Sequence, residues 1–586
     1  MLDEHHNRVI RCMADTYLLP TMYQPSDFDV ARLTERAEQL SRQISRNKAG
    51  FLSDDQLRPL RLQNGLYIQR KAPMLRIAIA YGMLNSRQLR ALGHVARQYD
   101  RGYGHLTTRQ NFQLNWISVD DTPKALHDLA QVGLHGVQSS GNCLRNITSD
   151  VRAGIAPEEL LDPRPYAELL RQWSTFHPEF TFLPRKFKVA LTGTPEDRAL
   201  VQIHDLAFEV VAVEPVATFR VRVGGGLGRT PILGPVVRER LEWFDLLTYT
   251  HAVMRVYNEL GRRDNLTKAR IKIMVRTLGI EAFRDMVEAE WAVLKEGPQK
   301  LSQEDLARIQ ASFVEPDWSQ GQPLDRVPFD GAERRAFERW RERNVLPHRQ
   351  PGYAAVLVPL KGAGRAPGDF TSEEMEALAA VSDTFSQGFV RVSHTQDILF
   401  PAVRESDLPE IFRALGRLSL ARPVGGLIGD MVACPGGDYC ALANARSLPI
   451  AEEIARRYES LDAQETIGPL DFRISGCMNS CGHHHVGHIG ILGVDKDGAA
   501  FYQLLLGGHS GHGAPAALGT IVGRAFSENE IADAVEQVLD TYLESRLPGE
   551  TFRDAVARLG KETFAAAADQ IRTETAKPPR VTGGQA

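Results

Sequence analysis

Cysteine is scarce in this chain: six cysteines among 586 residues are too few for a disulfide scaffold. Long apolar runs are missing as well, since nothing approaches the roughly 18 apolar residues that cross a bilayer. The first residues carry acids and histidines, where a signal peptide would have a basic start and an unbroken apolar stretch. The sequence therefore predicts a cytoplasmic protein with no membrane partner.

A surplus of basic charge is also lacking. The formal net charge is -4 and the isoelectric point is near 6.5. General binding to nucleic acid requires excess basic surface, so we expect no nucleic-acid partner, and any basic site must be local. The length exceeds what one hydrophobic core usually serves and predicts two to four structural units.

The chain contains an internal repeat at an offset of 286 residues. The match runs without a gap over about 50 residues, as a duplication would leave it. Ser86, Val95, Gln110 and Leu129, for example, fall on Ser372, Val381, Gln396 and Leu415. Each copy predicts a helix, an alternating strand and a second helix begun by proline. We therefore expect an α+β fold of duplicated α/β units related by a pseudo-twofold axis, the alternative being a chance match of two such units.

The predicted strands of the repeat are GHLTTRQNFQLNWI and FVRVSHTQDILFPAV. Longer stretches of mixed helix and strand follow the two copies. Residues 315–350, between the halves, are rich in Pro, Asp, Arg and Gln and predict a linker that wraps the surface. The final AKPPRVTGGQA predicts disorder.

Four of the six cysteines lie within 48 positions of one another, which favours metal ligation over cross-linking. Their spacing is Cys434-x5-Cys440 and then Cys477-x3-Cys481. Four thiolates are the usual ligands of a [4Fe-4S] cluster, and the glycines around them let the backbone approach it. Zinc is the alternative, with His483, His484, His485 and His488 nearby, but structural zinc sites usually place two to four residues between paired ligands. We interpret the histidines as a polar loop that covers a cofactor.

Several cations interrupt segments that should be structured. Arg76 lies on an apolar strand, where a charge needs an anionic partner. Lys186 and Lys188 fall on one face of a strand with Phe187 on the other, so an anion between the two ammonium groups is the natural explanation. The run Lys268, Arg270, Lys272 and Arg276 is explained equally well by an anion site and by an exposed helical face.

The cysteine spacing, with the second pair in SGCMNSCG, resembles the siroheme and [4Fe-4S] site of the sulfite and nitrite reductase hemoprotein family, and the resemblance covers nearly the whole chain. It implies that Cys434, Cys440, Cys477 and Cys481 bind the cluster and that Cys481 also bridges it to the siroheme iron. It further implies that Arg76, Arg145, Lys186 and Lys188 surround the bound oxyanion, and that Arg109 and Arg185 lie near the siroheme carboxylates.

The same resemblance implies the organisation of the chain. It predicts ferredoxin-like half-domains and two α/β domains that bind siroheme and the iron-sulfur cluster. The expected boundaries are 1–65 for an N-terminal extension, 66–138 and 350–422 for the half-domains, 139–325 for a siroheme and substrate domain, 423–565 for a cluster and siroheme domain, and 566–586 for a tail.

The resemblance favours assimilatory reduction of sulfite to sulfide, with siroheme nitrite reduction to ammonia as the alternative. Lys188 supports sulfite, because nitrite-using relatives typically have asparagine there. Two features argue against this. Flavoprotein-coupled sulfite enzymes have Arg-x-Arg where this chain has Arg76-Ile77-Ala78, and the Cys434–Cys440 loop resembles that of the nitrite-using and ferredoxin-linked branches. A non-catalytic zinc or iron-sulfur protein is a further alternative. The glycines at 224–226 and 228 do not fit a dinucleotide motif, so electrons should come from another protein, either ferredoxin or a flavoprotein reductase.

Overall fold

The computed structural model describes residues 27–575 and shows an α+β architecture. The strands are β1 Leu66–Ile68, β2 Pro73–Ile77, β3 Met83–Asn85, β4 Tyr103–Leu106, β5 Phe112–Leu114, β6 Thr148–Ser149, β7 Val189–Thr192, β8 Leu206–Ala212, β9 Thr218–Val223, β10 Val236–Glu242, β11 Val345–Pro347, β12 Tyr353–Val358, β13 Asp369–Thr371, β14 Phe389–Val392, β15 Ile398–Arg404, β16 Val432–Ala433, β17 Phe472–Ser475, β18 Ile489–Lys496, β19 Ala499–Leu506 and β20 Thr520–Phe526.

The α-helices of the described region alternate with these strands. They are α1 Asp27–Lys48, α2 Asp54–Gln63, α3 Ser86–Tyr99, α4 Thr122–Ala130, α5 Arg164–Ser174, α6 Leu246–Leu260, α7 Ile271–Leu278, α8 Ile280–Leu294, α9 Gln303–Ser312, α10 Gly331–Asn344, α11 Ser372–Phe385, α12 Leu408–Arg417, α13 Leu448–Arg457, α14 Leu461–Ile467, α15 Ile531–Ser545, α16 Phe552–Leu559 and α17 Lys561–Thr575. None of the helices described is long and apolar enough to span a membrane.

Two antiparallel sheets carry the internal repeat. Their strand orders are β1-β2-β5-β4-β13 and β11-β12-β15-β14-β3. The short edge strand β13 pairs with β4 of the first half, while β3 pairs with β14 of the second half. Each half-domain sheet is therefore completed by a strand from the other copy. The repeated helices α3 and α11 keep the predicted offset of 286 residues and pack on one shared core.

The remaining two sheets share a second common topology. In β6 to β10, the pairs β6-β7 and β7-β8 are parallel, whereas β8-β9 and β9-β10 are antiparallel. In β16 to β20 the same order of two parallel and two antiparallel pairs recurs. Separate hydrophobic cores lie against these two sheets. The expected pseudo-twofold, duplicated α+β fold is confirmed.

The repeated strand segments differ from the prediction. Each forms two short strands joined by a tight turn, because Gln110 and Gln396 adopt positive φ values of 55° and 68°. A left-handed residue cannot continue a strand. The alternating pattern runs through the turn because both arms face the same core, so periodicity alone could not locate the break.

The segment between the halves is not simply a surface linker. Residues 331–344 form α10, and its Phe337 and Trp340 are fully buried in the core shared by the two half-domains. Residues 566–575, expected in the tail, belong to α17, where Ala568 and Ile571 pack in the last core. The N-terminal extension likewise contains α1 and α2. Residues 1–26 and 576–586, including the segment predicted to be disordered, lie outside the described residues.

Candidate functional site

A cavity of about 600 Å³ lies where segments from both halves of the chain meet. It is lined by all four clustered cysteines and by six predicted cations, namely Arg76, Arg109, Arg145, Arg185, Lys186 and Lys188. The structure thus brings together every residue that the sequence predicted for the site. These residues span more than 400 positions of the chain, from Arg76 to Cys481, so it is the fold that brings them together.

The cysteines lie on two loops that direct amide groups at the sulfur atoms. The backbone N–H of Gly476 donates to Cys434 Sγ at 3.3 Å, and that of Leu442 donates to Cys440 Sγ at 3.4 Å. The Asn479 side chain donates to Cys477 Sγ at 3.5 Å. Such donors stabilise negative charge on thiolates and on cluster sulfur.

Burial makes these thiols poor acids while no metal is bound. Burial, followed by the charge of Cys481, raises the pKa of Cys434 to about 12 and that of Cys477 to about 11. A metal ligand must be deprotonated, so the free energy of metal binding has to remove these protons. Two thiols with raised pKa values among four clustered cysteines therefore fit an iron-sulfur centre better than a reactive thiol.

Glycines allow the two cysteine loops to pack closely. A Cβ atom on Gly482 would lie 1.9 Å from the Ile474 carbonyl oxygen, and one on Gly476 would lie 2.5 Å from that of Ala445. Within residues 27–575, no three His, Cys, Asp or Glu side chains are grouped as one metal ion would need. A zinc ion holds its thiolates within about 2.3 Å of a single point. Four thiolates are the usual ligands of a [4Fe-4S] cluster, and the donor set fits that larger group.

Three of the predicted cations of the cavity are held by neutral acceptors. Arg76 donates to Gln113 Oε1 at 2.6 and 2.9 Å, and Arg145 donates to the carbonyl oxygens of Ser139 and Gly141 at 2.8 to 3.1 Å. Arg109 donates to the Asn146 carbonyl at 2.6 Å and also contacts His204. These bonds fix the guanidinium groups but leave their charge uncompensated. Anionic carboxylates or an oxyanion in the cavity would supply that compensation.

The two lysines show how strongly positive the cavity is. Burial, with the charges of Arg270 and Arg145, lowers the pKa of Lys186 to about 8. Burial, with Arg109 and Lys186, holds the pKa of Lys188 well below its usual range. Phe187 between them is fully buried and bridges to Leu144, so the predicted alternation of the two faces is present. An anion that enters between the ammonium groups would raise both pKa values.

A second cavity adjoins the first and shares Arg185, Lys186 and Asn479 with it. The sequence could not assign the run Lys268, Arg270, Lys272 and Arg276 to either an anion site or an exposed face, and the structure shows that it contains both buried and exposed residues. Arg270 and Lys272 are largely buried, whereas Lys268 and Arg276 are exposed. Lys272 Nζ donates to the carbonyls of Gly226, Leu227 and Thr230 at 2.6 to 3.2 Å, which anchors the glycine loop beside the Cys477–Cys481 loop.

Sequence reasoning missed Thr108. Its hydroxyl donates to the Cys481 carbonyl at 2.7 Å, and its own carbonyl lies 3.1 Å from Nδ1 of His394, which occupies the equivalent position in the other repeat. Thr108 and His394 therefore connect the cysteine expected to join the two cofactors with both half-domains. The repeated Thr-Thr-Arg-Gln and Ser-His-Thr-Gln segments were the signal that could have indicated these residues.

The histidine run is buried and does not form a polar covering loop. His483 and His485 are 3% and 7% exposed, and His484 is fully buried. His485 Nε2 lies 3.2 Å from the Gly228 carbonyl, whereas His483 lines the cavity beside Cys481. A left-handed backbone at His483, with φ of 60°, turns the chain sharply after the last cysteine.

Two family models match the chain. The one described as "Nitrite and sulphite reductase 4Fe-4S domain" matches residues 140–295 and 425–576. The one described as "Nitrite/Sulfite reductase ferredoxin-like half domain" matches residues 67–132 and 347–418. The two pairs of matches coincide with the two kinds of sheet in the fold.

Individual relatives carry both activity names. "Ferredoxin--nitrite reductase" of Synechococcus elongatus is 30% identical over 80% of this chain and 85% of its own length. "Sulfite reductase [ferredoxin] 1" of Mycolicibacterium paratuberculosis is 28% identical over 84% of each chain. The solved NirA protein of Mycobacterium tuberculosis has 26% identity and a TM-score of 0.72, covering 88% of this chain and 92% of its own.

Proposed function

Because this chain belongs to the nitrite and sulfite reductase family, whose siroheme and [4Fe-4S] cofactors it carries, we propose that it is an assimilatory sulfite reductase. In this proposal the oxidoreductase takes sulfite to sulfide with six electrons from a ferredoxin-type protein. The carrying observation is the pair Lys186 and Lys188 beside Cys481, in a cavity where Arg76, Arg109 and Arg145 donate to neutral acceptors.

The charge of the cavity favours the more highly charged oxyanion. Sulfite as a dianion gains more than nitrite from each nearby cation, and the gain is large where water is excluded. Arg76 and Arg145 are already fixed by hydrogen bonds, so they can orient sulfite oxygens without first losing side-chain freedom. The tetrapyrrole and cluster, when bound, would pass the donor's electrons to the substrate, while the protein supplies position and charge.

Protons must accompany the electrons, since each departing oxygen leaves as water. Lys186 and Lys188 line the same cavity, and their ammonium groups can donate protons to a departing oxygen. We therefore assign Lys186 and Lys188 to binding sulfite and delivering protons, and Arg76 and Arg145 to holding it. In the same proposal Arg109 and Arg185 bind siroheme carboxylates, and Cys434, Cys440, Cys477 and Cys481 bind the cluster, with Cys481 bridging to siroheme.

Nitrite reduction to ammonia is the second candidate. The named nitrite reductase of Synechococcus elongatus matches most of this chain, and the Ile77-Ala78 departure after Arg76 supports the same alternative. Steady-state rates with sulfite and with nitrite, both driven by reduced methyl viologen, distinguish the two. We expect a higher kcat/KM with sulfite. An equal or higher value with nitrite would overturn the proposal.

A further inference from the structure

A buried carboxylate lies directly behind the cationic cavity. Among the residues that the structure describes, no Asp or Glu lines either of the two adjoining cavities. Asp205 belongs to neither lining, and its side chain is fully buried. It directly precedes β8, just as Lys188 directly precedes the paired strand β7. Cations that are buried together need a countercharge, and Asp205 can supply it from outside the cavity.

The two carboxylate oxygens of Asp205 bind different partners. Oδ1 accepts two hydrogen bonds from Arg270, at 2.6 and 2.9 Å, and Oδ2 accepts a third from the same guanidinium group at 2.7 Å. Oδ2 also accepts the backbone N–H of Lys188 at 2.9 Å. The backbone N–H of the next residue, Leu206, donates to the Lys188 carbonyl at 3.2 Å. Both backbone groups of Lys188 are therefore held by residues 205 and 206.

The preceding residue, His204, holds a further cation. Its Nδ1 lies 2.7 Å from the Leu200 carbonyl, so Nδ1 carries the proton and Nε2 is an acceptor. Nε2 accepts from Arg109 and lies 3.3 Å from Thr148 Oγ1. Burial, followed by the charges of Arg109 and Lys188, holds the pKa of His204 well below its usual range, which keeps the imidazole neutral. Two consecutive residues therefore hold cations from three separate segments of the chain.

The contacts at position 205 require a carboxylate. An asparagine has the same shape, but it has only one acceptor oxygen, and its amide nitrogen is a donor. In either orientation of the amide, a donor would face Arg270 or the Lys188 N–H. The buried guanidinium group would also lose its countercharge. The carboxylate of Asp205 therefore fixes Lys188 and Arg270 together.

We propose that Asp205 is a positioning residue for the reaction: it fixes Lys188 from behind the cavity wall and thereby determines the preference for the more highly charged oxyanion. The inference rests on the proposed function, in which Lys188 binds sulfite. Asp205 acts through Lys188 and not on the substrate, because it lies outside both linings. Of the charges that act most strongly on Lys188, those of Arg109, Lys186 and Arg270 repel its ammonium group, whereas that of Asp205 attracts it.

The test uses the cofactor-loaded full chain and a double-mutant cycle between Asp205→Asn and Lys188→Asn. The readout is the ratio of kcat/KM for sulfite to kcat/KM for nitrite, both driven by reduced methyl viologen. We expect Asp205→Asn alone to lower this ratio about fivefold. The double variant should have the ratio of Lys188→Asn alone, because Asp205 then has no ammonium group to position. Losses that multiply in the double variant, or an unchanged ratio in Asp205→Asn, overturn the inference.

Glu168→Gln is the matched control for the loss of a buried ion pair. Glu168 is fully buried and accepts two hydrogen bonds from Arg171, both at 2.6 Å, but it lines neither cavity. The urea midpoint of this variant should fall, as it does for Asp205→Asn, while the ratio of the two oxyanions stays at the wild-type value. An equal fall of the ratio in Glu168→Gln would attribute the effect to lost stability and overturn the inference.

A second variant, Asp205→Glu, keeps the test decisive if Asp205→Asn does not fold. The glutamate retains the charge and both acceptors, so Arg270 stays paired, while the extra methylene group displaces the contact with Lys188. The ratio should fall here too, with the siroheme content, read from the visible band, retained. An unchanged ratio overturns the inference. A wild-type chain that prefers nitrite refutes the proposed function instead, and the cycle can still be measured on that chain.

Discussion

Gln110 and Gln396 make the same hydrogen bond in opposite directions across the pseudo-twofold axis. Gln110 Nε2 donates to the Val392 carbonyl at 3.1 Å, and Gln396 Nε2 donates to the Leu106 carbonyl at 3.0 Å. Each side chain also binds the short first strand of the following sheet. Gln110 bonds both N–H and C=O of Ser149, and Gln396 bonds both of Ala433, the residue before Cys434.

Replacing Gln396 by Leu should therefore loosen a cluster ligand as well as the fold. The change leaves buried backbone groups of Ala433 and Leu106 without partners, and we expect a loss of about 3 kcal/mol in the free energy of unfolding. Iron and acid-labile sulfide content should fall in the purified protein. Gln110→Leu should cost similar stability but retain more sulfide, because the strand it holds carries no cluster ligand. The exposed Gln98→Leu is the control for both. Equal sulfide loss at positions 110 and 396 would contradict this assignment.

Thr108→Val should disturb the cysteine that we assign to both cofactors. The valine keeps the shape but removes the hydroxyl donor to the Cys481 carbonyl, which lies 2.7 Å away. We expect a shifted visible siroheme band and lower siroheme content, both read from the absorption spectrum. Thr108→Ser restores the donor and should restore the spectrum. If serine and valine behave alike, the hydrogen bond does not position Cys481.

Lys188→Asn should discriminate between the two oxyanions. It removes a buried positive charge from the cavity, which matters more for a dianion than for a monoanion. We expect kcat/KM for sulfite to fall about tenfold more than kcat/KM for nitrite. Lys496→Asn, at an exposed position, is the control. Equal losses for the two substrates would show that Lys188 does not determine specificity.

The destabilising contribution of Lys186 and Arg109 to the cofactor-free protein should decrease as the pH rises from about 7 to about 10. Burial, with neighbouring cations, lowers the pKa of Lys186 to about 8 and that of Arg109 to about 9, whereas both groups keep their protons to higher pH in the unfolded chain. At these two groups the unfolded state therefore binds more protons, and their contribution to stability increases with pH, whereas the buried thiols of Cys434 and Cys477 contribute with the opposite sign toward pH 10.

The urea midpoint at pH 7 and pH 9 measures this effect. Sulfate should raise the midpoint at pH 7 and flatten its pH dependence, because a bound anion restores the ordinary pKa values of the cavity cations. A sulfate effect on the midpoint that is equal at pH 7 and pH 9 would show that charge repulsion in the cavity is not a measurable cost.

The sequence predicted the repeat, the cofactor pair and a set of residues that the fold brings into one cavity. These predictions succeeded because cysteine spacing and a gapless repeat can be read directly from the order of residues in the chain. The sequence did not predict the turns at Gln110 and Gln396, since the apolar alternation continues through them. It also misread the histidine run, because whether His484 is covered depends on contacts made by distant segments.

The division of Lys268, Arg270, Lys272 and Arg276 could not be seen in the sequence either. Helix α7 begins at Ile271, so only the register of that helix decides that Lys272 turns inward and Arg276 outward. The ion pair of Arg270 with Asp205 joins residues 65 positions apart. Neither the register of helix α7 nor the ion pair between Arg270 and Asp205 can be predicted from the spacing of residues along the chain.

The exchange of edge strands also constrains how the chain is made. The first half-domain sheet lacks its edge until residues 369–371 have left the ribosome, and β3 must wait for residues 389–391. The first repeat therefore cannot finish folding during synthesis of its own segment, whereas the second finds its edge strand β3 already made. Two fragments divided between residues 313 and 330 would each expose unpaired strand edges. They should recover a native sheet only when expressed together.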